Sequence, residues 1–143
     1  MASRVPVVSI NVPCYRQLAQ ARRCVDSILA QSFRDFELTL FDDGESDEYR
    51  EYVRDLSDAR VRYQRNPSRL GAMDNMFQAM GAGAGKYTLA FHEDDLLSRE
   101  FLASAVAILE ANPSCGFVAA ELREFTVEPS VDELAASSRT PTY

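Results

Sequence analysis

The feature that most constrains this chain is its alternation of short apolar runs with segments of helical period. Residues 5–12 form a β-branched run bounded by Pro13. Residues 17–31 then place Leu18, Ala21, Val25, Ile28 and Leu29 on one helical face. A second apolar run, 36–41, is closed by Asp42-Asp43-Gly44. A polar helix is predicted over 47–56, with Ser46 or Asp47 as its N-cap. A short strand follows at 61–64, then a helix over 72–80 with Met73, Met76, Phe77 and Met80 facing inward. A strand at 87–91 leads to a helix over 99–111, capped by Ser98 and stopped by Asn112-Pro113. A fifth strand is predicted at 116–120, and residues 131–134 are read as a short helical turn. Parallel strands need crossover connections, and the intervening helices supply them. The fold class is therefore α/β: a mostly parallel sheet with helices on both faces.

With 143 residues the chain makes one domain at most. No apolar run reaches the ~18 residues of a membrane span. The start, MASRVPVVSI, lacks the apolar core of a signal peptide. A cytoplasmic location is expected, peripheral to the inner face of a membrane only through regions outside this chain. Cys14, Cys24 and Cys115 are an odd count without paired spacing, so they are read as reduced thiols. The net charge of −7 and the lack of a basic stripe argue against nucleic acid as a partner. An acidic chain that binds an anion needs local compensation from a metal, a helix N-terminus or a few placed cations.

Ligands of open α/β sheets bind beyond the carboxyl ends of the strands. Four strands deliver polar groups there. These are Pro13 to Arg16, then Asp42 and Asp43, then Arg65, Asn66 and Arg69, and finally His92 to Asp95. Two carboxylates ~4 Å apart repel by about 4 kcal/mol at an effective dielectric near 20. A hard divalent cation, Mg²⁺ or Mn²⁺, relieves such repulsion and bridges carboxylates to a diphosphate. Glu93, Asp94 and Asp95 equally suit the start of a helix, and Asp42-Asp43-Gly44 suits a simple turn. Tyr15 fits either a core position or a stack on a base ring. His92, the only histidine, is a metal neighbour or a hydrogen-bonded bystander. The stretch Gly81-Ala82-Gly83-Ala84-Gly85-Lys86 is not a phosphate loop. Met80 and Tyr87 stand where that motif needs Gly and Ser/Thr, so it reads as a helix end and turn.

These residues carry a resemblance to family 2 glycosyltransferases of the GT-A fold. The resemblance runs through Val8-Ser9-Ile10-Asn11-Val12-Pro13-Cys14-Tyr15-Arg16, then Ser27 to Phe33, Phe36-Glu37-Leu38 and Asp42-Asp43-Gly44-Glu45. It continues through Leu70-Gly71-Ala72 with Asn75, Gly85-Lys86-Tyr87 and His92-Glu93-Asp94-Asp95. Arg16 replaces the usual Asn, Glu45 the usual Ser, and His92 the first Asp of Asp-x-Asp. The resemblance implies a nucleotide-sugar site, with a UDP-sugar favoured as the donor. Pro13 and Tyr15 would line the base pocket, Asp43 would bond the base, and Asn75 belongs to the same site. Asp94 would contact ribose or metal, and Asp95 would hold Mn²⁺ or Mg²⁺. The acceptor would be a hydroxyl of a glycan or of a lipid-linked acceptor. Residues 1–120 would be the nucleotide-sugar-binding domain and 121–143 the start of a truncated acceptor half or a tail, so no general base is assigned. The alternative is a non-catalytic nucleotide-binding or interaction module of the same fold. A flavodoxin-like phosphoacceptor would place its acidic pair after the first strand, not the second. A nucleotidyltransferase would want a glycine-rich loop where Pro13-Cys14-Tyr15 stands.

Overall fold

The computed structural model describes residues 5–127 and 129. Four strands, β1 (Val8–Cys14), β2 (Phe36–Asp42), β3 (Val61–Arg65) and β4 (Tyr87–Ala90), form one parallel sheet in the order β3-β2-β1-β4. Helices α1 (Leu18–Leu29), α2 (Glu48–Leu56) and α3 (Ala72–Gly81) make the crossovers, and α4 (Phe101–Ala111) follows β4. The strand order steps outward from β1 to β3 and then returns across β1 to β4. Right-handed crossovers therefore place α1 and α2 on one face and α3 on the other.

The two faces of the sheet differ in chemistry. On one, Val8, Ile10, Val12 and Cys14 lie level with Phe36, Leu38, Leu40 and Asp42, all nearly sealed from solvent. Ala21, Cys24 and Val25 of α1 and Tyr49 and Tyr52 of α2 are buried with them. The other face carries buried Ser9, Asn11 and Glu37. These polar groups have a task. Asn11 Nδ2 donates to the Ala79 and Ala82 carbonyls, both at 2.9 Å, closing the end of α3. Ser9 Oγ donates to Glu37 at 2.8 Å and accepts from the Gly85 N–H at 2.9 Å. A Cβ on Gly83 would stand 2.3 Å from Ser9 Cβ, and one on Gly85 2.7 Å from the Ser9 nitrogen. The glycines at 81–85 thus end a helix, as the sequence reading holds, and also let the chain pass closely over β1.

Three expectations need correction. Met73, Phe77 and Met80 do not face inward: they are 65, 60 and 57% exposed, and α3 buries Asn75 and Ala79 instead. The polar side chains of β1 need α3's carbonyls close by, and that selects its small and amide-bearing side. Residues 116–120 form no strand. An apolar run becomes a strand only with a ladder partner, and Phe117 is 79% exposed. Ser98 does not cap α4, which starts at Phe101 with Glu100 at the N-cap position. Instead the buried Gln31 side chain serves that region, accepting from the Leu102 N–H at 3.0 Å and donating to the Ser98 carbonyl at 2.7 Å. Asp47 occupies the N-cap position of α2, but its carboxylate pairs with Arg50 and Arg65. The turn read at 131–134 lies outside the described residues, and no helix among them is long and apolar enough to cross a membrane.

The tight pass over Ser9 is testable. Gly83 has φ of 101°, a region unfavourable to side chains, and faces the near-contact just described. Gly83→Ala should lower unfolding free energy by about 3 kcal/mol, read by urea denaturation.

Candidate functional site

Parallel pairing brings Cys14, Asp42 and Arg65 level at one edge. The ladder continues past the strands: Asp43 N–H donates to the Cys14 carbonyl, Asn66 N–H to the Asp42 carbonyl, and Phe91 N–H to the Asn11 carbonyl. The predicted residues after β1, β2, β3 and β4 therefore leave the sheet on the same side. The ends of β2 and β4 flank β1, so Asp43 and the acids at 93–95 start from strands about 10 Å apart.

Asp43 is 4% exposed, and its carboxylate organises the segment after β3. Oδ1 accepts from the Leu70 N–H at 2.7 Å and from Asn66 Nδ2 at 2.9 Å, and Oδ2 from the Gly71 N–H at 2.8 Å. Burial alone would raise its pKa. The three hydrogen bonds and the nearby Arg69 outweigh that and hold it below the usual carboxylate value. Gly71, with φ of 87°, turns the chain into α3 at this point. Asn75 is 2% exposed: its Nδ2 donates to the Phe41 carbonyl at 2.9 Å and its Oδ1 accepts from Asn66 at 3.0 Å. Its amide thus supports the Asp43 surroundings. A crevice of about 290 Å³ opens here, lined by Asp43, Gly44, Glu45, Arg65, Asn66 and Arg69 among others.

Tyr15 and Pro13 are half-buried at the end of β1. Two guanidinium groups approach the Tyr15 ring, Arg69 at 4.5 Å and Arg16 at 5.0 Å from its centroid. Arg16 has φ of 56°, the left-handed conformation that asparagine adopts more readily than arginine. The usual family residue at this position has a backbone rationale. The acids at the end of β4 divide. Glu93 is 7% exposed and turned inward; Asp94 is exposed and Asp95 half-buried. Burial pushes the Glu93 pKa up, hydrogen bonds from Tyr49 and the Tyr15 N–H pull it down, and Asp94 pushes it up again, for a net rise. His92 is exposed. Among the described residues no three His, Cys, Asp or Glu side chains converge on a metal position. Two neighbouring carboxylates at a strand end still fit a hard cation that takes its remaining oxygens from phosphates and water. Cys14, Cys24 and Cys115 form no disulfide.

The model of the glycosyl transferase family 2 matches residues 9–135. The chain belongs to that family. A putative colanic acid biosynthesis glycosyl transferase of Escherichia coli is 29% identical over 92 residues, covering 63% of this chain and 33% of that protein. Among solved structures, Staphylococcus aureus TarS 1-349 in complex with UDP aligns at a TM-score of 0.66 and 19% identity, over 74% of this chain and 32% of that one. The mannosyltransferase PcManGT from Pyrobaculum calidifontis, in complex with GDP-Man and Mn²⁺, aligns at 0.66 and 23%, over 80% and 35%. The fold is thus part of a GT-A domain, and the chain spans about a third of the length of each of these three proteins.

Three residues do more at the candidate site than their sequence positions convey. Arg69 and Asn66 are expected among the polar groups after β3, and the structure adds that Arg69 lies on the Tyr15 ring and that Asn66 joins Asp43 to Asn75. Tyr49 was read as part of a polar helix, yet it is 1% exposed and bonded to Glu93.

The Asp43 carboxylate gives a pH signature. Its lowered pKa contributes stability that is present above the unfolded carboxyl value, about 3.9, and lost as pH falls through the folded value. Asp43→Asn should cost roughly 2 kcal/mol at neutral pH, since an amide cannot accept from all three donors. It should also flatten the acid limb of a Tm-against-pH curve; an unchanged limb would count against the carboxylate's role.

Proposed function

We propose that this family 2 chain is the donor-binding part of a glycosyltransferase, taking a nucleoside diphosphate sugar with a divalent metal. The observation that carries the reading is the placement of Tyr15 and Asp43 on adjacent strand ends beside a crevice, with Asp94 and Asp95 one strand further on. In this reading Pro13 and Tyr15 flank the base, with Arg69 swinging off the Tyr15 ring to admit it. Asp43, already holding three donors, keeps acceptor capacity for a ring N–H. That favours uracil or guanine, which carry such a group, over cytosine and adenine. The solved neighbours bind UDP and GDP-Man, which agrees with that class, and UDP-sugar remains our first choice. Asn75 acts by holding Asn66 and Asp43 in place. Asp94 reaches ribose or metal, and Asp95 holds Mn²⁺ or Mg²⁺. Bound there, the metal supplies Lewis-acid stabilisation of the departing diphosphate.

The reading extends to transfer of a hexosyl group to a hydroxyl of a glycan or lipid-linked acceptor. It takes residues 1–120 as the nucleotide-sugar domain and 121–143 as the start of a truncated acceptor half or a tail, working in the cytoplasm or at the inner face of a membrane. Calorimetric titration tests the core of it. UDP should bind, Mn²⁺ should tighten it, and CDP and ADP should bind roughly 10-fold more weakly. Asp95→Asn should abolish the gain from Mn²⁺. Failure of every nucleoside diphosphate to bind, with or without metal, would sink the reading.

A further inference from the structure

Of the three acids after β4, Glu93 alone is built into the protein. Its Oε1 accepts the Tyr15 N–H at 2.8 Å and its Oε2 the Tyr49 hydroxyl at 2.5 Å. The Tyr49 oxygen in turn accepts the Gln17 N–H at 3.0 Å. A single buried carboxylate therefore ties the residue just past β1 to the loop just past β4, and anchors both on α2. Asp94 and Asp95 are the next two residues along the backbone, so the same tether limits where they can go. The partners of Glu93, the Cys14 thiol among them, are donors, and a carboxylate accepts from several donors without presenting one of its own.

We propose, resting on the donor-site reading above, that Glu93 is a positioning residue that makes the base side and the diphosphate side of the crevice one rigid unit. Ordering of Tyr15 by a base then orders Asp94 and Asp95 for the metal-diphosphate group, and the reverse holds equally, because a coupling between two sites is reciprocal. The tether holds the two carboxylates near their working positions before ligand arrives, which reduces the ordering that binding must impose. Without it each half of the ligand would still meet its own residues, but the halves would no longer reinforce each other.

The separation of the two halves makes the test. Uridine probes the base side alone, and UDP with saturating Mn²⁺ probes both. Calorimetry on the unsubstituted chain, Glu93→Gln and Tyr49→Phe should show a smaller loss of uridine affinity than of the gain from Mn²⁺, because Tyr15 and Asp43 keep their side chains and Tyr15 loses only a backbone partner. The gain in UDP affinity on adding Mn²⁺ should fall roughly 10-fold in Glu93→Gln and roughly 3-fold in Tyr49→Phe, which keeps the ring but loses the hydroxyl's bonds to Glu93 and to the Gln17 N–H. An unchanged gain in both variants overturns the proposal. So does an equal weakening of uridine and UDP, which would make Glu93 a general structural support. A chain without substitutions that binds no nucleotide, or gains nothing from Mn²⁺, fails at the earlier step and takes this inference with it.

Discussion

The arrangement of the crevice depends on one buried charge. Asp43 sits at the end of the central β2 strand, 4% exposed, and three donors converge on it. Two of these are backbone N–H groups at the entry to α3, which otherwise lack partners. An ionised carboxylate there meets the positive end of the α3 dipole. The segment from Asn66 to Gly71 is consequently drawn against β2, and Arg69 is carried to the Tyr15 ring. Remove the charge and the loop loses its fixed point, Asn66 loses a partner, and the face that Tyr15 offers changes.

The same logic explains how a chain of net charge −7 seals several acids inside. Each has its own donors. Asp42, fully buried, accepts from the Gly44 N–H at 2.8 Å and the Tyr63 hydroxyl at 2.7 Å, with Arg65 at 3.6 Å. Glu37 takes the Ser9 hydroxyl and the Arg62 guanidinium. An unpartnered buried carboxylate would protonate or unfold its surroundings. Asp94 is exposed and Asp95 half-buried, and neither is sealed inside as Glu93 is.

Much of this was legible in the residues. The apolar runs and helical periods gave every strand of the observed sheet, and the carboxyl-end rule put Tyr15, Asp43 and Asp94-Asp95 on one side of it. The sequence could not tell which member of an acidic run turns inward. Glu93, Asp94 and Asp95 are alike as types, and the choice was made by two donors far away in the chain, Tyr15 N–H and Tyr49. Helix α3 misled for a related reason. Its methionines and phenylalanine make the more apolar stripe, yet β1 presents Ser9 and Asn11, so the amide and alanine side packs inward. Residues 116–120 have strand composition, but a strand is a property of a pair.

The grip of β1 on the end of α3 has a bearing on synthesis. Asn11 finds its partners 68 and 71 residues further along, and Ser9 finds Gly85 76 residues away. The first strand leaves the ribosome long before those groups exist. Its aliphatic side can collapse early onto α1, but its polar side must stay hydrated until α3 and the glycine turn are made. Loop closure over such separations is slow compared with local helix formation. Strand β1 is thus made well before α3 and completed only with it. During that interval, one face of the sheet is open to water and to chaperones.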